Sequence, residues 1–211
     1  MASNNVSTFL SQIQQGIKPN MFSVDIKFPN EFSGTSGKSE NDDKNLTNIL
    51  CKSAALPGSN LGVIEVPFRG RTVKIAGDRT FDTWTATFFA DNKMEVRALF
   101  EEWANSINTH EANTATRFLP SSNSSTGYMA DLFVSQLEKD DQKGGSVIRT
   151  YQLHHCFPTN VSAIDLAYDS NDQISEFTVE WQYSFFTAGK GLSGKATGTA
   201  EKASASSRTV V

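Results

Sequence analysis

Alternation of apolar and polar positions with a period of two dominates this chain, and it is cleanest between residues 67 and 91. Two β-like runs there, Arg71 to Ala76 and Thr80 to Ala90, are joined by Gly77-Asp78-Arg79, which reads as a turn. In the second run Trp84, Ala86 and Phe88 share one face and Thr83, Thr85 and Thr87 the other, as in a half-buried strand. The same alternation sets Phe22, Val24, Ile26 and Phe28 against Ser23, Asp25 and Lys27. It is longest between Ile174 and Phe186, where Phe177, Val179, Trp181, Tyr183 and Phe185 oppose a polar row of Glu176, Thr178, Glu180, Gln182 and Ser184. Further strands are expected over Leu46 to Ser53, Tyr128 to Leu137, Val147 to Phe157 and Val161 to Tyr168. Asp140 to Gly145 supplies a turn, and Pro158-Thr159-Asn160 reads as a break.

The period lengthens to that of a helix twice. Phe9, Leu10, Ile13 and Ile17 recur at spacings of three and four after a candidate N-cap, Ser7, and Pro19 ends the run. This first helix, over residues 7 to 17, is either an arm docking on a neighbour or an element packed on its own domain. Val96, Leu99, Phe100, Trp103 and Ile107 form the second and stronger stripe, with Glu95, Arg97, Glu101 and Glu102 off it. Asn92 followed by Glu95 has the spacing of a capping box. The pattern predicts a mainly β protein with one or two helices, an α+β chain whose sheets form a sandwich or small barrel with a helix outside.

Irregular stretches lie between and after these elements, among them the polar run Thr109 to Gly127. Pro57 to Pro67 is an extended arm in which Leu61, Val63, Ile64 and Val66 are more apolar than an exposed loop should be, which points to burial against a partner. Asn30 to Asn45 is polar and rich in Gly and Ser. Its acidic cluster, Glu40, Asp42 and Asp43, lacks the alternate ligands and closing Glu of a calcium loop, so it reads as a solvated loop. Residues 187 to 211 lose aromatics and periodicity and read as a flexible tail, leaving 1 to 186 as the folded domain.

Composition narrows the function. The formal charge is −4, which disfavours a protein built to grip nucleic-acid phosphates. No apolar run approaches the eighteen or so residues of a membrane span, and the N-terminus lacks the basic and apolar regions of a secretory signal. Cys51 and Cys156 are too few for a disulfide framework and read as free thiols in a reducing compartment. No catalytic, metal or cofactor constellation stands out. His154 and His155 are adjacent in an expected strand, so their rings should point to opposite faces. Glycine at 70 and 77 makes no dinucleotide fingerprint.

The order of motifs resembles the tail tube proteins of contractile-tailed bacteriophages, a family related to the type VI secretion tube protein. The residues that carry the resemblance are Pro19-Asn20-Met21-Phe22, Ala54-Ala55-Leu56-Pro57 and the run from Val73 to Thr85 containing Ala76-Gly77-Asp78-Arg79-Thr80-Phe81-Asp82. The helix with Phe100 and Trp103 follows, then Pro158-Thr159-Asn160-Val161 and Tyr168-Asp169-Ser170-Asn171. The likeness implies a structural subunit, six of which join their sheets into a ring that stacks into a hollow tube for DNA ejection. It implies assembly in the host cytoplasm, residence in the virion tail, and sheath, baseplate or hub, tape-measure and terminator proteins as partners. A tube of a related secretion or bacteriocin-like machine is the alternative. Within that frame Glu176, Thr178, Glu180, Gln182, Ser184, Thr83, Thr85 and Thr87 are candidate lumen positions, unless their face merely meets solvent. Residues 58 to 70 become the candidate stacking arm. Asp78, Arg79 and Asp82 either contact another subunit or brace the turn.

Overall fold

A computed structural model describes residues 6–13, 16–29, 46–122, 127–138 and 147–189. Its elements in chain order are α1 (Val6–Ile13), β1 (Phe22–Ile26), a short helix α2 over 46–50, β2 (Cys51–Ala54), β3 (Asn60–Phe68), β4 (Arg71–Thr80) and β5 (Trp84–Phe89). After these come α3 (Glu95–Ile107), β6 (Ala130–Leu137), β7 (Val147–Val161), β8 (Glu176–Gln182) and β9 (Phe185–Gly189).

Seven strands pair antiparallel in the order β1-β6-β7-β8-β5-β2, with β9 also on β7. The fifteen-residue β7 serves both halves of this sheet. Its first part pairs with β6 and β9 and its last part, Phe157 to Val161, with β8. The change of partner falls beside His155, whose φ of 58° is left-handed and marks a bulge within the strand. Asp131 on β6 holds that joint: Oδ1 accepts from the His155 amide at 3.2 Å and Oδ2 from Gln152 at 3.1 Å. Burial alone would raise the Asp131 carboxyl, but hydrogen bonds from His154, the His155 amide and Gln152 outweigh it and hold the group below its usual value.

The core lies under α3. Val96, Leu99, Phe100 and Trp103 are buried, as the helical stripe requires. They meet Val24, Ile26, Phe88, Phe177 and Trp181 from the sheets, with the Phe88 and Phe100 rings 5.2 Å apart and Phe100 and Trp181 5.6 Å apart. Trp103 also donates Nε1 to the Tyr128 carbonyl at 2.8 Å. The β5–β8 register sets Trp84 opposite Trp181, Ala86 opposite Val179 and Phe88 opposite Phe177, so every inward pair is apolar.

Several sequence expectations give way to the structure. Gly77-Asp78-Arg79 is not a turn, because β4 runs through it and pairs with β3. The reversal is at Arg69-Gly70, with φ of 45° and 82°, the positive pair that a two-residue hairpin needs. Gly77 answers a different demand. A Cβ there would lie 3.2 Å from the Gly62 backbone, and one on Gly62 would lie 3.1 Å from the Asp78 carbonyl oxygen. Residues 46–50 are helical, since Leu46 and Leu50, four apart, both pack on the core while Ile49 is exposed.

Pro158-Thr159-Asn160 does not break the chain either. It forms a bulge inside β7, one of the positions at which a sheet tolerates proline. Residues 162–175 are irregular, so no strand spans Val161 to Tyr168. The last run is interrupted at Tyr183-Ser184, and β9 continues through Gly189, past the boundary placed at 186. Helix α3 starts two residues later than a cap at Asn92 implies: its N-cap is Met94, in left-handed conformation and without a side-chain cap. The His154 and His155 rings do not part to opposite faces, because the bulge rotates His155 and both rings lie against Phe185, at 4.6 and 5.9 Å. The loop Asn30 to Asn45, the turn Asp140 to Gly145 and residues 190 to 211 lie outside the described residues.

Candidate functional site

Two surfaces have the chemistry of a working site. The first is the outer face of β5 and β8. Thr85 lies opposite Glu180 and Thr87 opposite Thr178, so the two candidate lumen rows form one surface. Thr87 Oγ1 and Thr178 Oγ1 are 3.2 Å apart, and Gln182 Nε2 donates to Thr83 Oγ1 at 2.8 Å. Ser184 has left the strand and stands in the break before β9, where its amide donates to the His154 carbonyl. Lys52 on β2, which strand alternation did not single out, donates to Glu176 Oε1 at 2.5 Å and neutralises it. Glu180 makes no ion pair among the described residues and is the face's uncompensated charge. Hydroxyls and a carboxylate on a rigid sheet bind neither phosphate nor apolar surface strongly.

The second surface is the β3–β4 ribbon. Every residue of β3 is exposed, and in β4 only Gly77 is partly covered. The register places Ile64 opposite Ile75, Val66 opposite Val73 and Phe68 opposite Arg71 on one face. Those five apolar side chains are each between 41% and 62% exposed, a continuous apolar stripe of a kind that marks an interaction surface. Val63, Pro67 and a Glu65–Lys74 ion pair occupy the opposite face. Val63 is therefore separated from Ile64 and Val66, and Leu61 sits beyond a bulge opposite Arg79. Phe68, Val73 and Ile75 join the site although the arm's own composition did not point to them. A two-residue turn at Arg69-Gly70 would have paired them correctly from sequence.

The ribbon's root is fastened to the body. Trp84 Nε1 donates to the Ala55 carbonyl at 2.6 Å and Tyr183 OH to the Gly58 carbonyl at 3.2 Å. Asn60 Nδ2 donates to Asp82 Oδ2 at 2.8 Å, so Asp82 braces the ribbon's base. Asp78 and Arg79 are exposed and make no side-chain hydrogen bond or ion pair among the described residues. Helix α1 buries none of its residues. Phe9, Leu10 and Ile13 are exposed, and so is Ile17 beyond the helix.

Neither thiol is activated as a nucleophile. Burial pushes the Cys51 thiol up to about 12 and raises Cys156 further. No group of three or more metal-ligating side chains occurs among the described residues. No described helix is long and apolar enough to cross a membrane.

Comparison with known proteins gives this geometry a context. The family described as phage tail tube protein matches residues 17–188. The chain is 32% identical over 162 residues to the tail tube protein gp19 of Enterobacteria phage T4, covering 77% of this chain and 85% of that protein. It is 27% identical over 135 residues to the tail tube protein of Serratia phage KSP90, covering 64% and 71%. Among solved structures, the tube-terminating cap of the anti-feeding prophage superposes with a TM-score of 0.58 at 17% identity, covering 90% of this chain and 99% of that one. A chain of the sheath–tube complex of an extracellular contractile injection system gives 0.55 at 16% identity, covering 89% and 99%. At such identities these two structures show a shared fold.

Proposed function

The chain belongs to the phage tail tube protein family, a structural subunit of the inner tube of a contractile tail, and on that premise we propose how its surfaces build the tube. Six copies close a ring by continuing their sheets across subunit boundaries, with the β5–β8 outer face turned to the lumen. Rings stack through the β3–β4 ribbons. DNA then passes a wall of threonine, glutamine and carboxylate, where the lysine at its edge is already engaged by Glu176. Sheath, baseplate, tape-measure and terminator proteins are the partners of such a tube, and assembly takes place in the host cytoplasm. The role is mechanical and needs no catalytic group.

The observation that carries this reading is the ribbon. A two-stranded sheet with two open edges and an apolar face is unstable alone in water, and covering it with a neighbouring copy satisfies both edges and side chains. Asp82 braces the ribbon, while Asp78 and Arg79 are left for contacts between subunits. Negative-stain microscopy of the purified protein with baseplate seeds should show sixfold rings or hollow tubes. A protein that stays monomeric under those conditions overturns the proposal. The shared fold with injection-system tubes supports a second reading, a tube that carries an effector in place of DNA. Mass spectrometry of purified DNA-containing virions separates the two, since only the first reading places the chain there.

A further inference from the structure

The ribbon ends in a basic and aromatic tip. Arg69 lies in the turn and Arg71 directly after it, and the Arg69 guanidinium lies 5.5 Å from the Phe68 ring. All three are exposed, and neither arginine forms an ion pair among the described residues. Such a tip needs a partner site that is apolar at its centre and acidic at its rim.

The body offers one. A cavity of about 560 Å³ opens at the start of α3, between Asp91, Met94 and the irregular segment 162–175. Leu166, Ile174 and Met94 line it while being 89%, 68% and 41% exposed, so its apolar wall is uncovered in the single chain. Asp165, Asp169 and Asp172 lie on the same segment, exposed and without ion pairs among the described residues. Asp91 lines the cavity too, and its Oδ1 is buried without a hydrogen-bond partner while Oδ2 accepts from the Lys93 amide. The cations nearby are engaged: Arg97 binds Glu101 and the Ser162 carbonyl, and Lys93 pairs with Glu95. A second cavity, of about 510 Å³ and lined by Ile17, Leu56 and Tyr151, also holds Arg149, which repels a tip carrying two arginines.

We infer that the Phe68-Arg69-Gly70-Arg71 tip of one subunit seats in the α3 cavity of a second copy. Phe68 covers Leu166 and Ile174, and the two guanidiniums meet the aspartates of the 162–175 segment. Each subunit then contributes one tip and one cavity, a head-to-tail contact that propagates as a tube must. The inference rests on the tube reading, and it adds a specific pairing to it.

A charge swap tests it. Arg69→Glu with Arg71→Glu, and separately Asp165→Lys with Asp172→Lys, should each raise the critical concentration for assembly at least about tenfold, as loss of close interfacial charge pairs does. The fourfold variant carrying both reversals should return to within about threefold of wild type, because the pairs are restored with opposite sign. Circular dichroism of each variant monitors folding; these positions are exposed, so the spectra should not change. A fourfold variant no better than either double variant overturns the contact, and so does wild-type assembly by the aspartate variant. A wild-type chain that never assembles overturns the tube reading and the contact with it. A wild type that assembles while the swap fails to recover overturns the contact alone.

Discussion

Replacing Ile64 and Ile75 by threonine should weaken assembly strongly while sparing the fold of the body. The two residues face each other across the β3–β4 ladder and stand 53% and 52% exposed in the single chain. Full burial of an isoleucine is worth about 1.5 to 3 kcal/mol, so roughly half of that, about 1 kcal/mol per residue, remains for a neighbouring subunit to supply. Threonine keeps the β-branch and the strand preference, which confines the change to lost apolar contact. Two such losses amount to about 2 kcal/mol per subunit, and at about 1.4 kcal/mol per decade the critical concentration should rise roughly thirtyfold. Sedimentation of polymer from monomer across a concentration series measures that shift directly.

Urea unfolding of the unassembled protein supplies the control. The buried cluster around Phe100 and Trp181 contains neither isoleucine, so the main transition should keep its midpoint. An unchanged critical concentration would show that this face is not covered in the polymer. A fall in body stability matching the fall in assembly would show that the ribbon is part of the core, and the reasoning would fail on that side.

Three further outcomes follow. Gly62→Ala places a methyl 3.1 Å from the Asp78 carbonyl oxygen, so the two strands must move apart by a few tenths of an ångström, and should cost the ribbon about 1 to 3 kcal/mol, read as faster hydrogen exchange in β3 and β4 with slow exchange kept in the body. Asp131→Asn should flatten the acid side of the stability profile: a carboxyl held below its ordinary value contributes stability above its unfolded value of about 3.9 and loses it as pH falls through the folded one, so the wild type should lose more stability than the variant below about pH 4. Glu176→Lys with Glu180→Lys removes the free carboxylate and strands Lys52 beside a second cation, so tubes should form while DNA passage slows in an ejection assay; normal ejection would show that this face does not line the lumen.

Legibility in the sequence followed the length of each signal. The α3 stripe and the β5 and β8 alternations span two or more full periods, and their apolar faces are the buried ones. The Gly77 turn failed because glycine has two uses, reversal and close backbone approach, and only the pairing of β3 with β4 separates them. Residues 46–50 failed because five residues fit either period. The histidine faces failed because one left-handed residue, His155, shifts the alternation beyond it. Of the candidate site, the two polar rows were readable as faces, but their merging into one surface depends on strand order. So does the Lys52 contact with Glu176, whose partners are 124 residues apart.

The ribbon's exposure alone would make a poor assembly device, because a floppy arm loses much of its contact energy in being ordered. Its root removes that objection. Trp84 Nε1 and Tyr183 OH tie the chain entering the ribbon to the body at two points, and the Asn60–Asp82 pair joins its two sides at the base. Trp84 is itself clamped, its ring 4.9 Å from that of Trp181, which belongs to the buried cluster. The close approach of Gly62 and Gly77 then leaves no gap between the two strands where they leave the body. The direction of the ribbon is therefore set by the same aromatic core that sets the β5–β8 outer face, since Trp84 and Trp181 pair on β5 and β8 while Thr85 and Glu180 pair beside them on the other side. One rigid sheet thus sets both the angle at which a neighbour is met and the surface that a ring would turn inward. A subunit of this kind brings its ordering cost already met by folding, which leaves the apolar stripe and the tip free to contribute to association.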